Sequence, residues 1–128
     1  MAIPYKPVPK TTMIKTNGSQ IYHAKTIANG SVEFEDFLKK ISKKSRIPYI
    51  DCYRFFLYFE DALMEELAEG KIVRLNNLGS FQIGVTSKSV TDIEDVTEAT
   101  ITKPHINYRT GKEFKKMLQA LEFKKVKG

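Results

Sequence analysis

Two short stretches of the chain carry side chains whose types and spacing suit phosphate chemistry. The first is GKIVRLNNLGSFQIGV, residues 70–85, where Arg74, Asn76, Asn77 and Gly79 stand around a turn between two apolar runs. The second is YRTGKEFKK, residues 108–116, where Arg109, Gly111, Lys112, Lys115 and Lys116 surround the start of an amphipathic run. A helix start leaves backbone amides free, and cations gathered around it draw an anion to them. Guanidinium, amide and ammonium groups of this kind hold a sugar-phosphate backbone and set register on it without reading bases. Lys88 and Lys103, which lie between the two stretches, complete the candidate set.

Other chemistries find little support. Gly111-Lys112 is not a nucleotide-binding loop, because no glycine run precedes the lysine and no Ser or Thr follows it. His23 and His105 lack companions at ligand spacing, so no metal is expected. Cys52 sits among aromatics inside a helical pattern and reads as a small buried hydrophobe. Glu65, Glu66 and Glu69 read as a solvated helix face. With no nucleophile beside a base, no enzyme, cofactor or small-molecule substrate is expected. Taken singly, Arg74 is a solvated strand residue and the lysines after Gly111 are those of any exposed amphipathic helix. Only their convergence points to a ligand.

Charge distribution narrows the ligand. The 128 residues carry 21 Lys and Arg against 15 Asp and Glu, a net charge of +6. That balance favours a polyanion. Residues 1–30 hold Lys6, Lys10, Lys15 and Lys25 and no acid, and residues 103–128 are also basic, whereas residues 31–70 and 86–102 are net acidic. Basic character therefore collects at the two ends and in the hairpin. A single cysteine makes no internal disulfide, and MAIPYKPVPK has no apolar run suited to a signal peptide or a membrane span. The expectation is a cytoplasmic protein.

The elements that must position these groups follow from apolar periods. Residues 3–28 predict two strands, one an edge blunted by Pro4, Pro7 and Pro9, joined by a turn at Asn17-Gly18. Ser31 reads as an N-cap for a helix over 32–44, with Phe34, Phe37, Leu38 and Ile41 at i, i+3, i+4 and i+7. Pro48 starts a second helix, Tyr49 to Glu69, which Gly70 stops. From there the period becomes two. Val73, Leu75, Phe81, Ile83 and Val85 share a core face, leaving Arg74 and Gln82 on an open one. A third strand, Ile101 to Tyr108, leads to a Thr110/Glu113 capping box and a helix with Phe114, Met117, Leu118 and Leu121 as its stripe.

The second helix exposes an association problem. Cys52, Phe56, Phe59, Leu63 and Leu67 line one face, yet Tyr53, Phe55, Leu57, Tyr58 and Met64 carry apolar surface around most of the rest. A second copy of the chain is the expected cover, making a homodimer.

The order of these parts resembles the HU/IHF family of bacterial histone-like proteins. The resemblance runs from residue 31 to about 121 and rests on the paired helices, the Val73-Arg74-Leu75 to Gly79-Ser80-Phe81 hairpin, an arm, and the Gly111-Lys112 helix start. The additional N-terminal strands point to the divergent HU-like branch of Bacteroides-type bacteria. The resemblance implies an α+β intertwined dimer: two helices in the N-terminal half, a β-saddle with a modified arm, a C-terminal helix, and an extra N-terminal β-hairpin. Residues 1–30 would be the extension and residues 31–128 the HU-like domain. The implied partner is double-stranded DNA, bound in the nucleoid with little sequence preference. In the family, arginine-rich arms end in a proline wedge that kinks the duplex. Here the segment VTSKSVTDIEDVTEATITKP has no arginine and four acids, a Thr91-x-x-Glu94 pattern suited to a helical turn, and its Pro104 on the returning strand. Proline-mediated kinking is accordingly expected to be weak or absent. The rival expectation is a scaffold derived from the same fold that has left DNA for protein partners.

Overall fold

The computed structural model describes residues 2–14 and 20–126. Among them the chain order is β1 (Ile3–Ile14), β2 (Gln20–Thr26), α1 (Phe34–Ser45), α2 (Tyr49–Ala68), β3 (Val73–Leu75), β4 (Gly79–Ser87), β5 (Ile101–Thr110), α3 (Lys112–Gln119) and β6 (Phe123–Lys125). The result is a mixed α+β fold with two three-stranded sheets, ordered β2-β1-β6 and β3-β4-β5. The chain forms two compact units, one of Met1–Phe37 with Leu118–Gly128 and one of Leu38–Met117. The expected Asn17-Gly18 turn lies outside the described residues.

In the first unit the proline strand is not simply an edge. β1 pairs antiparallel with β2 and parallel with β6, so over Ile3–Tyr5 it is the central strand. The Ile3 amide donates to the Glu122 carbonyl and the Val126 amide donates to the Tyr5 carbonyl, both at 2.8 Å. Backbone groups alternate sides along a strand, so Pro7 and Pro9 face the same side as Ile3 and Tyr5, beyond the last residue that β6 covers. Their missing N–H groups fall where no partner strand runs, which reconciles the prolines with a central position. The strand β6 has no counterpart in the sequence reading. Three residues carry too little periodic signal to be seen.

In the second unit the core is thin. Leu38, 1% exposed, Cys52 and Leu67 are the buried apolar side chains among the described residues. The stripe expected on α2 is correct, since Cys52 and Leu67 are buried and Phe56, Phe59 and Leu63 are half-buried. Phe59 and Leu63 meet Val73 and Leu75 of β3 around a shallow apolar hollow of about 130 Å³. The helix ends at Gly70, whose φ of +81° suits glycine. There the Gly70 amide donates to the Leu67 carbonyl (2.9 Å) and the Lys71 amide to that of Glu66 (3.2 Å), a Schellman closure. The Lys71 ammonium then bridges the Glu69 (2.8 Å) and Glu66 (3.1 Å) carboxylates, which hold its pKa above the usual lysine value.

Helix starts differ from expectation in two places. The first helix begins at Phe34, not residue 32, because the Phe37 amide donates to the Glu33 carbonyl, so Glu33 is the cap. The Ser31 hydroxyl turns instead to the Glu33 carboxylate at 3.4 Å. Similarly, the capping box at Thr110 does not form. Thr110 is the last residue of β5, Gly111 takes the cap by accepting from the Lys115 amide (2.9 Å), and Glu113 pairs with Lys116 Nζ (3.4 Å). In both cases the neighbouring strand or loop holds the predicted cap residue in other work. The last helix also stops at Gln119, so Leu121 lies past it rather than on its stripe.

Candidate nucleic-acid interface

Strand register decides which polar residues share a face. β4 is central, with Val73 opposite Phe81 and Leu75 opposite Gly79 on one side, and Phe81 opposite Tyr108, Ile83 opposite Ile106 and Val85 opposite Pro104 on the other. These residues form the apolar face, where the Phe81 and Tyr108 rings lie 5.0 Å apart between centroids. The intervening pairs form the opposite face. There Ser80 stands between Arg74 and Arg109, followed along the arm by Gln82 with Asn107, Gly84 with His105, and Thr86 with Lys103. Among the described residues, no carboxylate belongs to this face.

Arg74 and Arg109 thus flank one serine across adjacent strands, and with Asn76, Gly79 and Gly111 they line an open concavity of about 210 Å³. Tight backbone packing builds that corner. Asn76 has a φ of +50° and Gly79 of +130°, which turns the chain between β3 and β4. A Cβ on Gly79 would lie 2.1 Å from the Arg109 carbonyl oxygen, and one on Gly111 would lie 2.1 Å from that of Asn77. The Gly111 amide donates to the Leu78 carbonyl (3.2 Å), and the Tyr108 hydroxyl donates to the same oxygen (2.5 Å). Both glycines are therefore needed for the start of α3 to meet the hairpin turn.

The remaining candidates are distributed differently. Asn77 is exposed, its backbone carbonyl lies close against Gly111, and its side chain does not line the concavity. Lys112 and Lys115 are exposed on the first turn of α3, and Lys116 is tied to Glu113. Lys103 lies on the polar face three residue pairs beyond Arg109, which is roughly 20 Å along the strand. Lys88 stands past the end of β4, where its amide donates to the Thr100 carbonyl (2.8 Å). Among the described residues, neither arginine nor Lys103 is in an ion pair. Asn107 and His105 were not among the sequence candidates. Counting pairs outward from Gly79 opposite Thr110 would have placed Asn107 beside Gln82 and His105 beside Gly84, but the pairing is not visible until the register is fixed.

The arm closes unusually. A shift in register between Thr86 and Ser87 leaves Thr102 unpaired in the ladder, and its hydroxyl donates to the Thr86 carbonyl at 3.1 Å. Residues 88–100 then fold into two short 3-10 turns, Ile93–Asp95 and Glu98–Thr100. A helical turn does form near Thr91, but its cap is Asp92 rather than Thr91. Thr100 is buried and closes the second turn on the Thr97 carbonyl at 2.6 Å.

The family model for HU-HIG, described as an HU domain fused to wHTH, Ig or glycine-rich motif, matches residues 1–125. The chain belongs to the HU-HIG family. Its fold is similar to that of a crystal structure from Bacteroides vulgatus ATCC 8482, of a protein provisionally described as a bacterial DNA-binding protein. The TM-score is 0.69 at 14% identity, over 98% of this chain and 49% of that one. The HU-HIG chain thus spans about half the length of that neighbour. No curated protein matches it. Among its described residues, no helix is long and apolar enough to cross a membrane.

Proposed function

We propose that this HU-HIG chain binds duplex DNA with little sequence preference, as a homodimer, through the polar face of the β3-β4-β5 sheet and the start of α3. The observation that carries the reading is the register that aligns Arg74, Ser80 and Arg109 at the base of the arm and Lys103 further out, on a face free of carboxylates. Phosphate contacts from such groups position a duplex, and Gln82 and Asn107 between them supply amides able to meet base edges in the minor groove. The family and the structural neighbour support DNA as the ligand. Support for the dimer comes from α2, where Phe55 and Tyr58 are about 70% exposed and Ile50, Leu57 and Met64 also face outward. Kinking by an arm-tip proline is not part of this function. Pro104 pairs with Val85 inside the ladder, on the apolar face.

With ~6 phosphates neutralised per dimer, log K falls against log salt with a slope of about −5. Fluorescence anisotropy of a labelled duplex at several salt concentrations tests this. Steep salt dependence, alike for unrelated sequences, is the expected result, and absence of binding at low salt removes the reading. One observation favours a second function, protein-protein scaffolding without DNA. The 88–100 segment carries Asp92, Glu94, Asp95 and Glu98 and leaves Ile93 89% exposed. The double variant Arg109→Glu with Lys112→Glu separates the two. It abolishes duplex binding in an intact dimer if the sheet face binds DNA, and changes partner binding little if the chain is a scaffold.

A further inference from the structure

The N-terminal sheet has two unlike faces. Side chains alternate along β1, and its partners are fixed by register: Lys6 opposite Lys25, Val8 opposite His23, and Pro4 opposite Lys124 of β6. Lys10 continues the same row. One face therefore gathers Lys6, Lys10, Lys25, Lys124 and His23. The other carries Tyr5, Ala24, Thr26 and Phe123 around an apolar depression of about 400 Å³, with Lys125, opposite Tyr5, as its single lysine among the described residues. The strands β1, β2 and β6 contain no acid, and none of the four lysines is in an ion pair among the described residues.

A like-charged pair directly across two strands opposes folding. Lys6 and Lys25 form such a pair, with a third ammonium next along the sheet and no carboxylate to offset them. We infer that this lysine face is a second phosphate-binding surface for duplex DNA, apart from the β3-β4-β5 face. The inference rests on the DNA-binding reading and extends it to residues 1–30 and β6. A protein partner fits the face less well, since stable protein interfaces centre on buried apolar or aromatic anchors. Among the described residues the apolar side chains among these lysines are Pro4, Val8 and Ile21, with no Phe or Tyr ring to serve as an anchor. A polyanion needs no such anchor. Lysines act on it as point charges, which suits contact with a regular phosphate backbone and no reading of bases.

The test titrates a labelled duplex of about 30 base pairs, at several salt concentrations, with four proteins: the wild type, Lys6→Gln/Lys25→Gln/Lys124→Gln, its all-arginine counterpart, and Arg74→Gln/Arg109→Gln. Each phosphate contact contributes about 0.9 to the salt slope. With the second surface engaged, the wild-type slope is steeper than the about −5 supplied by the β3-β4-β5 face and α3. The glutamine triple is expected to flatten it by about 2 to 3 for each protomer on the duplex and to weaken binding at least tenfold at low salt, while the arginine triple keeps the wild-type slope. Single Lys25→Gln and Lys124→Gln variants, each flattening the slope by about 0.9, carry the same test should the triple fail to fold. A wild-type slope in the glutamine variants, with binding lost in Arg74→Gln/Arg109→Gln, overturns the second surface and leaves the first standing. A wild type that binds no duplex at any salt overturns both.

Discussion

Glycine positions in this protein separate two costs that are usually mixed. Gly70 and Gly79 both hold positive φ, +81° and +130°, but a Cβ on Gly70 meets nothing within 4 Å while one on Gly79 runs into the Arg109 carbonyl. Gly70→Ala should therefore cost only the left-handed backbone penalty, about 1 kcal/mol. Gly79→Ala adds a backbone clash that no rotamer relieves and should cost at least about 3 kcal/mol, with Gly111→Ala not far behind. Urea unfolding of the three variants checks the order. Because Gly79 and Gly111 set the corner that holds Arg74 and Arg109, a folded Gly79→Ala protein should also bind DNA less well, which Gly70→Ala should not. Tyr108→Phe is a milder probe of the same corner. It removes the hydroxyl that donates to the Leu78 carbonyl and keeps the ring against Phe81, so a loss of about 1 kcal/mol is expected.

At the level of elements, what the sequence revealed depended on how local the determinant was. The stripe of α2 and its stop at Gly70 could be read because helix period and C-cap chemistry act within a few residues. The alternation through Val73, Leu75 and Phe81 was equally plain, and it put Arg74 on the open face. By contrast, the caps at Ser31 and Thr110 failed because those residues answer to their surroundings: Thr110 is claimed by the β5 ladder. The pairing of β1 with β6 joins residues about 120 apart in the chain, a contact no window along the sequence contains. The candidate site was half legible for the same reason. Arg74, Asn76, Gly79, Arg109 and Gly111 converge as expected, whereas Asn107 and His105 join them only through cross-strand register. The rebuilt arm gives this scale its own prediction. Asp92, Glu94, Asp95 and Glu98 lie in the segment that joins the outer ends of β4 and β5, and if the arm follows a bound duplex they repel any phosphate that comes within the ~8 Å screening length of physiological salt. Replacing all four by their amides should tighten duplex binding several-fold at low salt and progressively less as salt rises. Unchanged affinity would mean that the arm tip stands away from the duplex.

For the whole molecule, the issue is how so little buried surface holds a folded chain. Leu38, Cys52 and Leu67 alone are buried among the described apolar residues, while Ile50, Tyr53, Leu57 and Met64 recur along α2 at i, i+3, i+7 and i+14, all exposed. That spacing is a second helical stripe, about a quarter-turn or more from the first. Covering an exposed Leu or Met is worth roughly 1.5–3 kcal/mol, and a two-fold interface counts every residue twice. Leu57→Glu with Met64→Glu therefore removes four apolar groups from a homodimer, at least about 6 kcal/mol, and puts four charges in their place. Such a loss raises the dimer dissociation constant by ~10⁴ or more. Sedimentation equilibrium should find the wild type at twice the 14.7 kDa chain mass and the variant at the chain mass itself. Because dimerisation stabilises the folded state by mass action, the wild-type melting temperature should rise with protein concentration and the variant's should not. A monomeric wild type with a concentration-independent melting temperature would break the link between the open stripe and a second copy. It would also halve the number of phosphates available to each complex, so that the salt slope of DNA binding would drop to about half its dimer value.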